Sequence, residues 1–266
     1  MVDMEVWKPH QIKPGECLEA QVGPVLIWLR KSGDEIHIAT RHQEDDESLT
    51  KAGGLRVLSE QEPVGLDWSR WVCGDECSEV CLAPVMPDRP VVVRPELPVK
   101  IPSDGKALFF VGVPIWIRIT AVNGKEFTLC EEPTIDLSNI WFGDPMSEHL
   151  CYSLRSRARR EIADTQAQPH RASCPVSIRN ASAEQVNVER FCVHGAHRGI
   201  YPGTSRLWTN GVKIAFKGEP EVSQLEYSKT PPECENVGEI LSRPRTPVKA
   251  SPLKRSFGGF GLFGGA

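Results

Sequence analysis

Between Lys106 and Pro145 the chain reads KALFFVGVPIWIRITAVNGKEFTLCEEPTIDLSNIWFGDP, its longest apolar stretch. Ile115, Ile117, Ile119 and Ala121 alternate there with Trp116, Arg118, Thr120 and Val122. A period of two puts the first set on one face of a strand and the second set on the other. Asn123-Gly124 then reverses the chain. A two-residue turn would set Ile119 against Thr128 and mix the faces. A three-residue loop, Val122-Asn123-Gly124, sets Ile119 against Phe127 and Ile117 against Leu129. That register keeps one face apolar, with Gly124 supplying the left-handed residue of a bulged hairpin. The sequence predicts this three-residue loop.

The same alternation recurs along the chain. Val25, Ile27 and Leu29 share one face and Leu26 and Trp28 the other, before Ser32-Gly33-Asp34 turns the chain into Glu35–Ala39. Residues 65–72 and 186–194 read as further strands. In HLCYSLRSRARR, residues 149–160, Leu150, Tyr152 and Leu154 take one parity and Arg155, Arg157 and Arg159 the other. Leu207 to Ile214 reads as a second hairpin, with Asn210-Gly211 as a tight turn that sets Thr209 against Val212 and Leu207 against Ile214. Six prolines between Pro84 and Gly105 exclude a helix and a central strand there and leave extended edge segments. Residues 43–54, polar and acidic, read as a surface loop. No long amphipathic helix is present.

Recurrent short strands without helices between them predict an all-β fold, an antiparallel β-sandwich or two packed β domains. The expected layout is an N-terminal β-sandwich domain over 1–145, a second β domain over 146–230, and a tail over 231–266. The tail is rich in Pro and Ser, then basic, then rich in Gly and Phe. It cannot bury enough surface to offset its ordering entropy, and disorder is expected.

Charge is unevenly spread. Residues 1–150 hold 14 Lys+Arg and 25 Asp+Glu, 14 − 25 = −11, and residues 151–266 hold 17 and 10, 17 − 10 = +7. The basic second half suits an anionic partner or the acidic first half. No apolar run is long enough for a membrane span, and the N-terminus lacks the pattern of a secretory signal. Nine cysteines, an odd number outside a disulfide-dense frame, point to a reducing, cytoplasmic setting.

KALFFVGVPIWIRI, LSNIWFGDP, LCYSLRSRARR and PVSIRNASAEQVNVERFCVHG resemble a prokaryotic family known as domain of unknown function 432. The resemblance covers roughly residues 1–230 and leaves the tail outside. It implies a cytoplasmic prokaryotic β protein and brings no activity and no catalytic residue to map.

Four groups of residues carry candidate chemistry. Cys73, Cys77 and Cys81 are spaced by four and could supply three thiolates to zinc. The usual close cysteine pair is missing and acid lies between them, so ordinary thiols are expected and no metal. Cys192, His194 and His197 in FCVHGAHRG could serve a metal or a thiol-based reaction, but structural imidazoles are the simpler expectation. Arg155, Arg157, Arg159 and Arg160 could bind an anionic partner or pair within the chain. No nucleic-acid motif accompanies them. Phe257, Phe260 and Phe263, set among glycines after the basic tail residues, could dock on a protein groove or an anionic membrane surface. No cofactor fingerprint is present.

These features favour a non-enzymatic, macromolecule-binding β protein with a docking tail. The alternative is a small-molecule or carbohydrate-processing β enzyme with its site near residues 192–197.

Overall fold

The structure, a computed structural model, describes residues 4–43, 55–58, 64–74, 77–142, 149–218, 223–247 and 253–254. Strand accounts for 53% and helix for 3%. The helical turns among the described residues are 3-10 segments at Glu5–Trp7 and Ile162–Asp164. The fold is all-β. The chain divides into two compact units, Met1–Val85 with Pro114–Asp136 and Ala167–His170, and Met86–Val113 with Leu137–Gln166 and Arg171–Ala266. The units interleave in sequence, where composition suggested seams near 145 and 230. The reason is strand pairing: Lys106–Pro114 pairs with the distant Arg171–Asn180, whereas Trp116–Asn123 pairs with Glu79–Val85 and Lys125–Pro133.

The first unit holds two sheets. One runs in the order Pro9–Gln11, Glu79–Val85, Trp116–Asn123, Lys125–Pro133, all antiparallel. Its inner face is the predicted row of Ile115, Ile117, Ile119 and Ala121, all fully buried. The turn differs from the predicted loop. Gly124, at φ 67°, stands alone at the tip, with Asn123 opposite Lys125 and Ala121 opposite Phe127. Beyond Thr120–Thr128 a bulge shifts the register, so Ile119 faces Cys130 and Ile117 faces Glu132. Asn123 donates its side-chain amide to the Cys73 carbonyl at 2.9 Å, which fixes the turn to a neighbouring loop. The bulge takes up Leu129, which is buried. It also brings Glu132 onto the Ile117 side, where burial raises its pKa against a smaller lowering by His42.

The second sheet of this unit runs Leu55–Leu58, Cys17–Val22, Val25–Ser32, Glu35–His42, Ser69–Val72. Leu18, Ala20, Val25, Ile27, Leu29, Ile36 and Ile38 form its buried face. The other face is a ladder of paired charges over Trp28. Glu19 accepts from Trp28 Nε1 at 2.8 Å and from Arg56 Nε at 2.6 Å. Glu35 accepts from His37 Nε2 at 2.7 Å and from both arms of the Arg70 fork. The His37 and Arg70 hydrogen bonds hold Glu35 below the usual carboxylate range. Residues 167–170 belong here because the Ile115 N–H donates to the His170 carbonyl at 3.0 Å, and Gly23, at φ 57°, leaves no room for a Cβ beside the His170 ring.

The second unit is built around Arg171–Asn180. It pairs in parallel with Leu207–Thr209 at its start and with Val212–Phe216 further along, and it also pairs with Lys106–Pro114. The predicted hairpin at Asn210-Gly211 is therefore absent. The two segments follow one strand in succession, and Gly211 does not take the left-handed conformation. Asn210 is buried, accepting from the Gly199 N–H at 2.9 Å and donating to the Ser228 carbonyl at 2.8 Å. A side chain held from both sides serves better as an internal brace than as an exposed turn.

A four-stranded sheet orders Ser138–Phe142, His149–Ser153, Val91–Val93 and Phe191–Val193. Val91–Val93 is interior, parallel to one neighbour and antiparallel to the other. The proline-rich stretch thus does contain a central strand, because Pro90 and Pro95 flank Val91–Val93 without entering it. Val99–Ile101 pairs with Val186–Val188.

Residues 231–247, expected to be disordered, are anchored in this unit. Leu241 N–H donates to the Ile200 carbonyl, Ile200 N–H to Ser242, Thr246 N–H to Ala196, and Gly238 N–H to Pro202, at 2.8–3.0 Å. Backbone pairing, which needs no apolar periodicity, orders this strap. Leu253–Lys254 pairs with Gln224–Leu225.

Two outcomes are expected from this packing. Ile117→Ala leaves a cavity at a fully buried site and should lower unfolding stability by about 2–5 kcal/mol in a denaturant titration. Glu132 has its folded pKa raised, so its acid form is the one the fold favours, and its contribution is lost as pH rises through the folded value. Glu132→Gln should therefore raise the melting midpoint at pH 7 and lose that advantage as pH falls towards 4.

Candidate functional site

In FCVHGAHRG, Phe191–Val193 ends a sheet, and the chain then turns tightly, the Arg198 N–H donating to the Gly195 carbonyl at 2.9 Å. The glycines are spatial requirements. A Cβ on Gly195 would lie 2.9 Å from Met86 Cβ, and one on Gly199 would lie 2.7 Å from Ile240 Cδ1 and 3.2 Å from the Ser242 carbonyl. The loop is shaped to receive the strap.

Arg198, 1% exposed, holds the loop from inside. Its Nη1 donates to Thr209 Oγ1 and the Asn210 carbonyl, both at 3.0 Å, and its Nε to the His194 carbonyl at 3.3 Å. No described carboxylate forms an ion pair with it. Its Nη2 is sealed from solvent and makes no hydrogen bond. The guanidinium ties the loop to Thr209 and Asn210 from within.

The three sequence candidates here diverge. Cys192 joins Val92, Phe142 and Cys151 in an apolar cluster. The Cys151 thiol beside it, and then burial, push Cys192 well above the ordinary thiol range. His197 is buried, its ring 5.0 Å from that of Tyr227, and its Nδ1 donates to the Thr246 carbonyl at 3.0 Å. His194 is half-buried. Imidazole and thiol thus serve the strap and the core separately.

Of the other cysteine group, Cys73 and Cys77 come together, and the Cys77 N–H donates to the Gly74 carbonyl at 3.1 Å. Burial, and then Cys77, push the Cys73 thiol up to about 11. Cys81 sits apart on Glu79–Val85, where burial and then Glu126 and Glu79 raise it. Among the described residues no group of three or more His, Cys, Asp or Glu side chains is placed to hold a metal ion.

The arginine row splits into two kinds. The strand ends at Ser153, and the following residues make irregular bridges. Arg159 pairs with Glu96 and exchanges backbone hydrogen bonds with Phe110. Arg160 donates to the Leu108 carbonyl and lies 5.1 Å from the Phe109 ring centroid. Arg155 and Arg157 are exposed, and no described side chain forms an ion pair with either.

A surface the sequence did not flag lies next to this row. On Ser138–Phe142 and His149–Ser153, Trp141 faces Leu150 and Asn139 faces Tyr152, all on the face opposite the Cys151 cluster. Arg89 stacks 5.5 Å from the Tyr152 ring and donates to Asn139 at 3.2 Å. Trp141 is 60% exposed. Its place in an alternating strand was readable, but which face lacked a covering layer was not. Phe257, Phe260 and Phe263 lie outside the described residues.

The family model described as "Protein of unknown function (DUF432)" matches residues 6–263. The match includes the tail, which the resemblance seen in sequence had left outside. No curated protein and no solved structure matches the chain. Among the described residues no helix is long and apolar enough to cross a membrane.

Gly199→Ala should displace the strap from its loop. Trypsin should then cut after Arg245 at least several-fold faster than in the unchanged protein, as read by mass spectrometry of short digests.

Proposed function

The chain belongs to the DUF432 family, whose description names no activity, and from its surface we propose that it is a non-enzymatic binding protein for an acidic protein partner. The observation that carries this reading is the split of the arginine row. Arg159 and Arg160 are engaged within the chain, while Arg155 and Arg157 stand in solvent without an ion pair to a described residue. Guanidinium groups left in this way are suited to forked hydrogen bonds with carboxylates on a partner. The tail adds a second contact in this proposal. The strap at 241–246 gives it a fixed root. Lys249, Lys254 and Arg255 steer, and Phe257, Phe260 and Phe263 dock.

The enzyme alternative, with a site near Cys192, His194 and His197, has less support, because those side chains point to different neighbours. The free state of all nine cysteines fits a cytoplasmic setting.

Affinity capture with the tagged full chain, read by quantitative mass spectrometry, tests the proposal. Replacing Arg155 and Arg157 by Glu should lower partner recovery about tenfold, equivalent to about 1.4 kcal/mol, and the loss should shrink at high salt. Changing Phe257, Phe260 and Phe263 to Ser should lower recovery without altering the melting midpoint. Recovery unchanged in both variants would end this reading.

A further inference from the structure

A strand at the rim of a sheet exposes a row of backbone donors and acceptors, and most rims carry something that blocks pairing with another chain. In this protein, Pro9–Gln11 and Ile200–Pro202 each contain a proline. Leu55–Leu58 and Ser69–Val72 carry Arg56 and Arg70. Lys125–Pro133 carries Lys125, Glu126, Glu131, Glu132 and a bulge. Phe191–Val193 is buried throughout.

Ser138–Phe142 has none of these devices. It is outermost in its sheet and bonded on one side to His149–Ser153, in a register without a shift. Its sequence, SNIWF, contains no charge and no proline. Ser138 and Asn139 are exposed, as is Trp141, the largest exposed aromatic side chain among the described residues.

We infer that Ser138–Phe142 pairs with the same strand of a second copy of this chain, antiparallel and centred on Ile140. This register sets Ser138 against Phe142, Asn139 against Trp141 and Ile140 against Ile140 of the other copy. Face parity is kept: Asn139 and Trp141 stay on the outer side, and Ile140, already packed against the Val92–Cys151 cluster, stays on the inner side. Every opposed pair is uncharged, so no like charges meet across the seam. The arrangement is self-complementary and closes at two copies, because each copy brings one open rim, its other side being bonded to His149–Ser153. Five residues bury less than the roughly 1,200 Å² of a standard interface, so the dimer should dissociate on dilution.

Sedimentation velocity of the full chain across about 1–300 μM tests this. The expected result is a mass that rises from one copy towards two with concentration. Asn139→Lys and Trp141→Lys place a charge on exposed positions and should hold the chain at one copy with an unchanged melting midpoint. Register is read separately in a Cys234→Ser background on the exposed face, away from Cys151: with diamide as oxidant, Asn139→Cys mixed with Trp141→Cys should form a disulfide between unlike copies, and either variant alone should do so far less. Three results would each overturn the inference: a single copy at every concentration, a dimer unaffected by both lysine variants, or Asn139→Cys alone cross-linking as fully as the mixture.

Discussion

Each strand in this protein must pair its backbone on two sides or expose one of them to water, and the architecture follows from how that requirement is met. Burial of the apolar faces could be achieved by several strand orders. Unpaired N–H and C=O groups in the interior are more restrictive, because each costs about 1–3 kcal/mol. Arg171–Asn180 shows the solution in the second unit: two successive short segments, Leu207–Thr209 and Val212–Phe216, pair with it in parallel, and Asn210 bridges the break with its side chain.

The strap solves the same problem at a rim. Ile200–Pro202 has a neighbour on one side in Leu207–Thr209, and residues 238–242 supply partners to Ile200 and Pro202. Gly199 makes the approach close enough, and Arg198 beneath ties the loop to Thr209 and Asn210. His197 closes the far end of the strap through Thr246. In this motif His197 holds the chain's own C-terminal segment, while Cys192 packs in the core. Among the described residues, Arg155 and Arg157 have no ion pair and the strand at 138–142 has a strand partner on one side.

Much of the fold was legible in the sequence because period-two alternation reports directly on a half-buried strand. The all-β class and the buried row at Ile115, Ile117, Ile119 and Ala121 came from that signal alone. Register was less accessible. One extra residue at Leu129 changes which side chains oppose each other, and alternation within each strand is the same on either side of a bulge. The Asn210-Gly211 dipeptide was misleading for a related reason: a favoured turn sequence states what the backbone can do locally, while Arg171–Asn180 offered both flanking segments a better partner than each other.

By itself the sequence determined that the chain forms sheets, that Ile115, Ile117, Ile119 and Ala121 face inward, and which side chains could bear chemistry, since residue type and spacing act over a few neighbours. Tertiary structure alone decided which of those side chains meet. Cys192 lies against Cys151, His197 against Tyr227, Arg159 against Glu96, and the strap against a loop more than forty residues away. These contacts depend on pairings between distant segments, whose free energy comes from backbone groups common to every residue, so no local pattern announces them.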